Sequence, residues 1–416
     1  MSIYIPLAIK YRPQKFSDVV GQGLTIKIIT RGLVKNRLGP ALLFSGTRGV
    51  GKTTIARILA KVFRCEKRAD TDPEPCCQCA SCLNFLHDNL MDVIELDAAS
   101  NTGVDDVREI LESSRYMPTT GKFKIFIIDE VHMLSKSAFN ALLKTLEEPP
   151  PHVKFLFATT ETYKIPETIM SRVLKFDLKK IDTDLMAQYL SSICNQEGIF
   201  ASAEVLTLLA RAADGSIRDG LSILDQAINI SENNELAVRD LKDMLNISDD
   251  NDIIELLDLV FSADIKAAVK KYREMNENNA SAPKIINALM DHVHMLACLK
   301  TNIQPAEMIV SDDSFPQLKK LAEKTSLASI TKIWQMLLKG VNELRFSERS
   351  EIVLEMLLIR IAYASELPDL QELIQEISRD SSKPLAKSEK ILHTENMTKS
   401  LVGETLRMFP GARVEQ

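Results

Sequence analysis

Up to about residue 180 the chain alternates short, unbroken apolar runs with stretches in which apolar residues recur every three or four positions. Unbroken runs suit strands buried on both faces, and the longer period suits helices laid across them. The pattern therefore predicts a parallel α/β sheet. Strands are expected at 41–46 (ALLFSG), 92–97 (DVIELD), 124–130 (KIFIIDE), 154–160 (KFLFATT) and 172–178 (RVLKFDL). Helices are expected at 52–63, 104–114 and 135–148, the last stopped by Pro149, Pro150 and Pro151, since proline lacks the N–H and clashes with the preceding turn.

Beyond residue 180 the strand signal stops. Residues 181–242 read as short helices, with ADGSIRDGLSILDQAI (213–228) the most distinctive stretch, and 243–367 as long Leu/Ile/Met-rich helices ending in RSEIVLEMLLIRIAYA (349–364). The expected organisation is an α/β domain at 1–180, a small helical domain at 181–242, an all-helical domain at 243–367, and a polar linker with a short tail at 368–416. No internal repeat is visible.

Composition adds little beyond this: 45% hydrophobic and 26% charged residues are ordinary for a globular protein. Only 6% are aromatic, which favours aliphatic helical packing over a β-sandwich. A formal charge of −6 excludes attraction of nucleic acid by the chain as a whole, so a DNA partner has to meet a local basic surface. No secretory signal is seen at the N-terminus, and no apolar run nears the roughly 20 residues of a membrane span. The chain is expected in the cytoplasm, without a membrane partner and with its thiols reduced.

The first candidate chemistry is Gly46-Thr47-Arg48-Gly49-Val50-Gly51-Lys52-Thr53, a G-x-x-x-x-G-K-[ST] loop between an expected strand and an expected helix. Its glycines let backbone N–H groups turn toward phosphate oxygens, and the helix N-terminus adds positive potential. Lys52 can reach the β- and γ-phosphates of ATP, Thr53 can ligate Mg²⁺, and Thr54 continues the loop into the helix. Asp129-Glu130 closes the apolar run 125–128, at the strand end where such sheets bind ligands. Asp129 would hold Mg²⁺ and Glu130 would polarise the attacking water. Thr159 and Thr160 end the next run and could sense the γ-phosphate.

Five of the seven cysteines crowd into one segment, including PCCQCASC (75–82). In a reducing compartment they are not disulfides. A thioredoxin-like pair needs its own βαβ fold, which the phosphate loop already occupies. Cys65, Cys76, Cys79 and Cys82 supply four thiolates at C-x₂-C spacing for a closed tetrahedral Zn²⁺ site, within an inserted module at about 64–89. An iron–sulfur cluster shares this spacing and stays open as the alternative. Cys77 is the spare thiol, and Cys194 and Cys298 fall on helical apolar patterns as core residues.

KYRPQKFSDVVGQ, GTRGVGKTT, ELDAASNTGVDDVRE, IFIIDEVHMLSKSAFNALLKTLEEPPPHVKFLFATTE, IMSRVLKF and GSIRDGLSILDQAI occur in that order. Together they resemble the γ/τ subunits of bacterial DNA polymerase III, ATPases of the sliding-clamp loader. The resemblance is close through residue 230 and weaker to about 367. It implies an AAA+ α/β domain with an inserted zinc module, a helical lid, and a helical collar for oligomerisation. It also implies ATP hydrolysis within a DNA-directed DNA polymerase holoenzyme, which opens the clamp and loads it onto primer–template DNA. By the resemblance, Arg172 is the arginine finger serving a neighbouring subunit's nucleotide, Arg218 the lid arginine acting in cis, and Arg12, Pro13, Val20 and Gly21 line the adenine pocket. The family has S-R-C where this chain has Ser171-Arg172-Val173, so the charge is kept while the packing beneath it differs.

Partners implied are the delta and delta-prime subunits, further copies of this chain, the sliding clamp, primer–template DNA and, as a candidate, the polymerase III core. DNA phosphates would meet helix starts near Asn101–Thr102 and Ser135–Lys136. The residues after 367 are too few for the large additional domains of the family's longer form. Rival readings are another AAA+ DNA motor such as a branch-migration ATPase, a non-hydrolysing scaffold subunit, and a metabolic P-loop kinase.

Overall fold

A computed structural model describes residues 4–69, 71–85, 91–231, 234–245, 250–277, 281–303 and 314–366. The expected linker and tail at 368–416 lie outside the described residues. The chain divides into two compact units, Met1–Leu245 and Asn246–Gln416.

In the first unit, strands β1 (Ala41–Ser45), β2 (Val93–Asp97), β3 (Lys124–Asp129), β4 (Val153–Thr159) and β5 (Leu174–Asp177) form one sheet in the order β2-β3-β4-β1-β5. Every pairing is parallel. The apolar runs are continuous because both faces are covered. Leu42, Phe44, Ile125, Ile127 and Leu156 pack under helix Lys52–Arg64 through Ile55 and Leu59. Alternate residues of the same strands, Leu43, Phe126, Ile128, Phe155 and Phe157, face Phe139 and Leu142 of helix Lys136–Glu147, as the two-residue period of a strand requires.

Parallel strands put all their carboxyl ends on one edge. Ser45 pairs with Thr159 there, and Asp129 ends the strand on the other side of β4. The loops after β1, β3 and β4 therefore share a single crevice.

Each expected strand shifts by one or two residues at an end, and the larger departures have local causes. Glu130 leaves its strand, because its backbone is left-handed (φ 45°). Arg172 and Val173 precede β5: Arg172 N–H bonds to Ile169 O at 2.9 Å, so the chain is still turning out of helix Glu167–Met170. A two-stranded parallel ribbon, Phe200–Ala201 with Glu235–Leu236, stands where only helices were expected.

Helices Thr183–Glu197, Ala203–Ala212, Ile217–Ile230 and Val238–Leu245 surround a separate apolar core that also takes in Leu7. The second unit is all-helical, built from Asp250–Phe261, Ile265–Glu277, Ala282–Thr301, Phe315–Lys324, Leu327–Arg345 and Ser350–Glu366 around Leu289, Leu296, Ile333 and Leu357. Among the described residues no helix is long and apolar enough to cross a membrane.

Candidate active site

The phosphate loop joins β1 to helix Lys52–Arg64. Gly46, Gly49 and Gly51 have φ of 149°, 76° and 103°, values that side-chain-bearing residues avoid. Gly51 N-caps the helix without a side chain, and a Cβ there would meet nothing within 4 Å, which leaves open space beside the first-turn N–H groups. Val50 anchors the loop in the core, while Thr47 and Arg48 stay exposed. Lys52 is buried and folds back, donating from Nζ to Gly46 O and Thr47 O, both at 2.9 Å. Burial lowers its pKa, opposed by the carboxylates of Glu130 and Asp129.

Thr53 Oγ1 donates to Asp129 Oδ2 at 2.7 Å, and Asp129 Oδ1 accepts from Glu130 N–H at 3.0 Å. A hydroxyl and a carboxylate thus meet at the helix start, a set of hard oxygens that suits Mg²⁺. Glu130 turns toward β4: its Oε2 accepts from Thr160 N–H (3.1 Å) and from Thr160 Oγ1 (3.0 Å). Thr159 is fully buried, its hydroxyl 3.1 Å from His132 Nδ1 and accepting from Glu161 N–H. His132 Nδ1 is also 3.4 Å from Glu130 Oε2. His132 is not among the residues the sequence points to, and its place two residues after the acidic pair is the only sequence signal for it.

The helical segment reaches this loop directly. A Cβ on Gly49 would lie 1.9 Å from Ser216 Oγ, and Gly49 O accepts from Arg218 N–H at 3.4 Å. Arg218 is exposed in the first turn of Ile217–Ile230, next to the loop. On the other side, Gly21 packs against Ile181, where a Cβ would come within 2.2 Å of Cδ1. Buried Gln22 bonds Lys179 in both directions, Nε2 to O at 2.7 Å and Oε1 from N–H at 3.2 Å. Those contacts fix Gly21 and Gln22 at the junction between sheet and helical segment, and Arg12, Pro13 and Val20 are half-buried earlier in the same segment.

Arg172 does not join this cluster. Its guanidinium bonds Thr168 O at 2.7 Å and Glu147 Oε1 at 2.5 Å on an exposed surface. The two helix starts considered for DNA touch each other, through Ser135 N–H to Thr102 O at 3.2 Å.

The sulfurs of Cys65, Cys76, Cys79 and Cys82 lie within 4.8 Å of one another, with Cys76 and Cys82 at 3.9 Å. Four Zn–S bonds of about 2.3 Å in a tetrahedron hold sulfurs about 3.8 Å apart, so the cage fits. Backbone N–H groups of Cys76 and Cys79 point at Cys65 Sγ and Cys76 Sγ, each at 3.3 Å. Burial disfavours ionisation of Cys76, but the N–H groups of Gln78 (3.5 Å) and Cys79 donating to its sulfur, with the neighbouring thiols of Cys65 and Cys79, outweigh it and hold its pKa at about 6. Cys77 has left-handed backbone (φ 57°) and places its sulfur 3.9 Å from Gln14 O, outside the cage. Cys194 and Cys298 are buried on helices.

Three family models match successive parts of the chain. They are DNA polymerase III, delta subunit, at 21–182; DNA polymerase III clamp loader subunit, ATPase lid domain, at 186–233; and DNA polymerase III subunits gamma and tau domain III, at 236–377. DNA polymerase III subunit tau of Escherichia coli is 40% identical over 385 residues, 92% of this chain and 59% of that one. DNA polymerase III subunit gamma of Buchnera aphidicola is 39% identical over 361 residues, 87% of this chain and 99% of that one. The chain thus spans less than two thirds of the tau relative and nearly all of the gamma relative. Among solved structures, the Thermotoga maritima RuvB Holliday junction branch migration motor is 16% identical at a TM-score of 0.43, covering 74% of this chain and 98% of that one. That likeness is too loose to bear on function.

Proposed function

Because the chain belongs to the gamma/tau family of DNA polymerase III subunits, we propose that it is an ATPase of the sliding-clamp loader, working in the cytoplasm. The observation that carries this reading is the convergence of Lys52, the Thr53–Asp129 pair and Glu130 at one sheet edge, with Arg218 beside the loop. On this reading residues 1–180 hold the nucleotide, 181–242 act as lid and 243–367 as collar.

Loop N–H groups and Lys52 would bind the ATP phosphates, Lys52 exchanging its two loop carbonyls for phosphate oxygens. Thr53 and Asp129 would hold Mg²⁺, which supplies charge neutralisation at the phosphates. Glu130, once released from Thr160, would orient the attacking water, with the Thr159–His132 contact fixing the sensor strand behind it. Arg218 would meet the γ-phosphate in cis. Arg172 would meet the nucleotide of a neighbouring subunit, in keeping with its half-buried position away from its own loop. Cys65, Cys76, Cys79 and Cys82 would hold a structural zinc, since four thiolates leave no open coordination position.

The partners proposed are the delta and delta-prime subunits, further copies of this chain, the sliding clamp, primer–template DNA and the polymerase III core. Reconstitution with the partner subunits and clamp tests the reading: ATP hydrolysis stimulated by primer–template DNA is expected, and Lys52→Ala should abolish it. Hydrolysis equal with and without DNA and clamp would sink the proposal.

A further inference from the structure

The cysteine module has a second connection besides its cage. Glu74, two residues before Cys76, accepts from Phe16 N–H at Oε2 (2.8 Å) and from Ser17 N–H at Oε1 (2.9 Å). Phe16–Asp18 is a single helical turn whose first N–H groups have no partner of their own. A carboxylate at that position satisfies two donors and complements their positive end. Glu74 is itself set by a tight turn, its N–H bonding Asp72 Oδ1 at 2.9 Å.

A second tie runs alongside. Cys77 sits beside Gln14 O, and Gln14 Oε1 accepts from buried Lys61 Nζ at 3.0 Å. Lys61 belongs to helix Lys52–Arg64, whose N-terminus carries the phosphate loop and whose C-cap is Cys65. Residues 14–17 are thus fastened to the far end of the phosphate-loop helix directly, through Lys61, and to the cysteine module through Glu74 and Cys77. The same segment continues through Val20 and Gly21 to the Ile181 junction.

We propose that the metal module is a brace for nucleotide binding. Through Glu74 it holds the segment carrying Arg12, Pro13, Val20 and Gly21 in place as a wall of the base pocket. Glu74 is a positioning residue: its carboxylate is engaged by the Phe16 and Ser17 N–H groups and is not one of the four cage ligands. The inference rests on the ATP-binding reading above, and one of its readouts is independent of ATP.

The test uses the full chain loaded with zinc, comparing wild type, Glu74→Ala and Glu74→Gln. Metal content should stay at one ion per chain in all three. Amide hydrogen exchange at Phe16 and Ser17 should quicken about tenfold in Glu74→Ala, the share of one charge-assisted hydrogen bond. Calorimetric ATP affinity should weaken about tenfold in the same variant, with KM for ATP rising more than kcat falls. Glu74→Gln keeps the shape and one acceptor oxygen and should fall between, so the test survives if Glu74→Ala folds poorly. Unchanged exchange in a variant that keeps its metal overturns the brace. Faster exchange with unchanged ATP affinity overturns its link to the nucleotide. A wild type that binds no ATP defeats the ATP-binding reading, while the exchange result still decides for or against the brace.

Discussion

The Glu130 carboxylate is held by Thr160, whose N–H and hydroxyl both donate to Oε2, at 3.1 and 3.0 Å. The two residues directly follow neighbouring parallel strands, Lys124–Asp129 and Val153–Thr159, so the contact is set by the sheet and not by the local sequence. A carboxylate so engaged is not free to orient water.

Weakening that hold should therefore raise hydrolysis by the isolated chain. Thr160→Val removes the hydroxyl donor and leaves the backbone one, so basal kcat should rise by about three- to tenfold. Glu130→Gln should lower kcat by about a hundredfold or more while ATP still binds. Single-turnover hydrolysis, measured beside calorimetric ATP binding, separates the two effects.

Arg172 pairs with Glu147 on the surface and does not reach its own phosphate loop. Arg172→Ala should leave ATP affinity of the isolated chain within about twofold and lower hydrolysis by the assembled complex by about a thousandfold. Assaying the variant alone and in the reconstituted complex checks this. An equal loss in both would place Arg172 in its own site.

At the end of the phosphate-loop helix, Arg64 and Asp92 form a buried ion pair at 3.3 Å. Burial pushes the Asp92 carboxyl up, but N–H groups of Thr119 and Thr120 and the Arg64 guanidinium bring it below its ordinary value. A carboxyl depressed on folding stabilises the protein above its unfolded pKa, and the stabilisation is lost as pH falls through the folded value. Asp92 should contribute fully above about pH 5 and progressively less toward pH 2. Asp92→Asn should cost about 3 kcal/mol at pH 7, because Arg64 is left buried without a counter-charge. Chemical denaturation of both proteins from pH 3 to pH 7 should show the gap closing in acid.

The spare thiol separates ligand from neighbour. Cys77→Ser should retain one zinc per chain, whereas Cys79→Ser should lose zinc affinity by orders of magnitude and lower the unfolding temperature of the first unit. Metal analysis with thermal unfolding reads both.

Features carried by residues adjacent in sequence are legible in the sequence. The phosphate loop, the helix Val104–Ser114 and the C-x₂-C spacing are of this kind. Long-range features are not. His132 meets Thr159 only because β3 and β4 end together, and Glu74 meets Phe16 across 58 residues of sequence. RVLKFDL reads as one strand, yet Arg172 is retained in the preceding turn by Ile169 O. Glu130 follows an apolar strand without interruption in the sequence, and only its left-handed backbone turns it toward Thr160.

On the proposed function, ATP turnover at Lys52, Asp129 and Glu130 is coupled to clamp and DNA. Its most direct measurement is the ATP hydrolysis rate of the chain reconstituted with delta, delta-prime and the sliding clamp, with and without primer–template DNA. DNA should raise the rate, and Glu130→Gln should abolish that rise by removing the residue that orients the attacking water. A rate indifferent to DNA and clamp, or one that survives Glu130→Gln, contradicts that coupling.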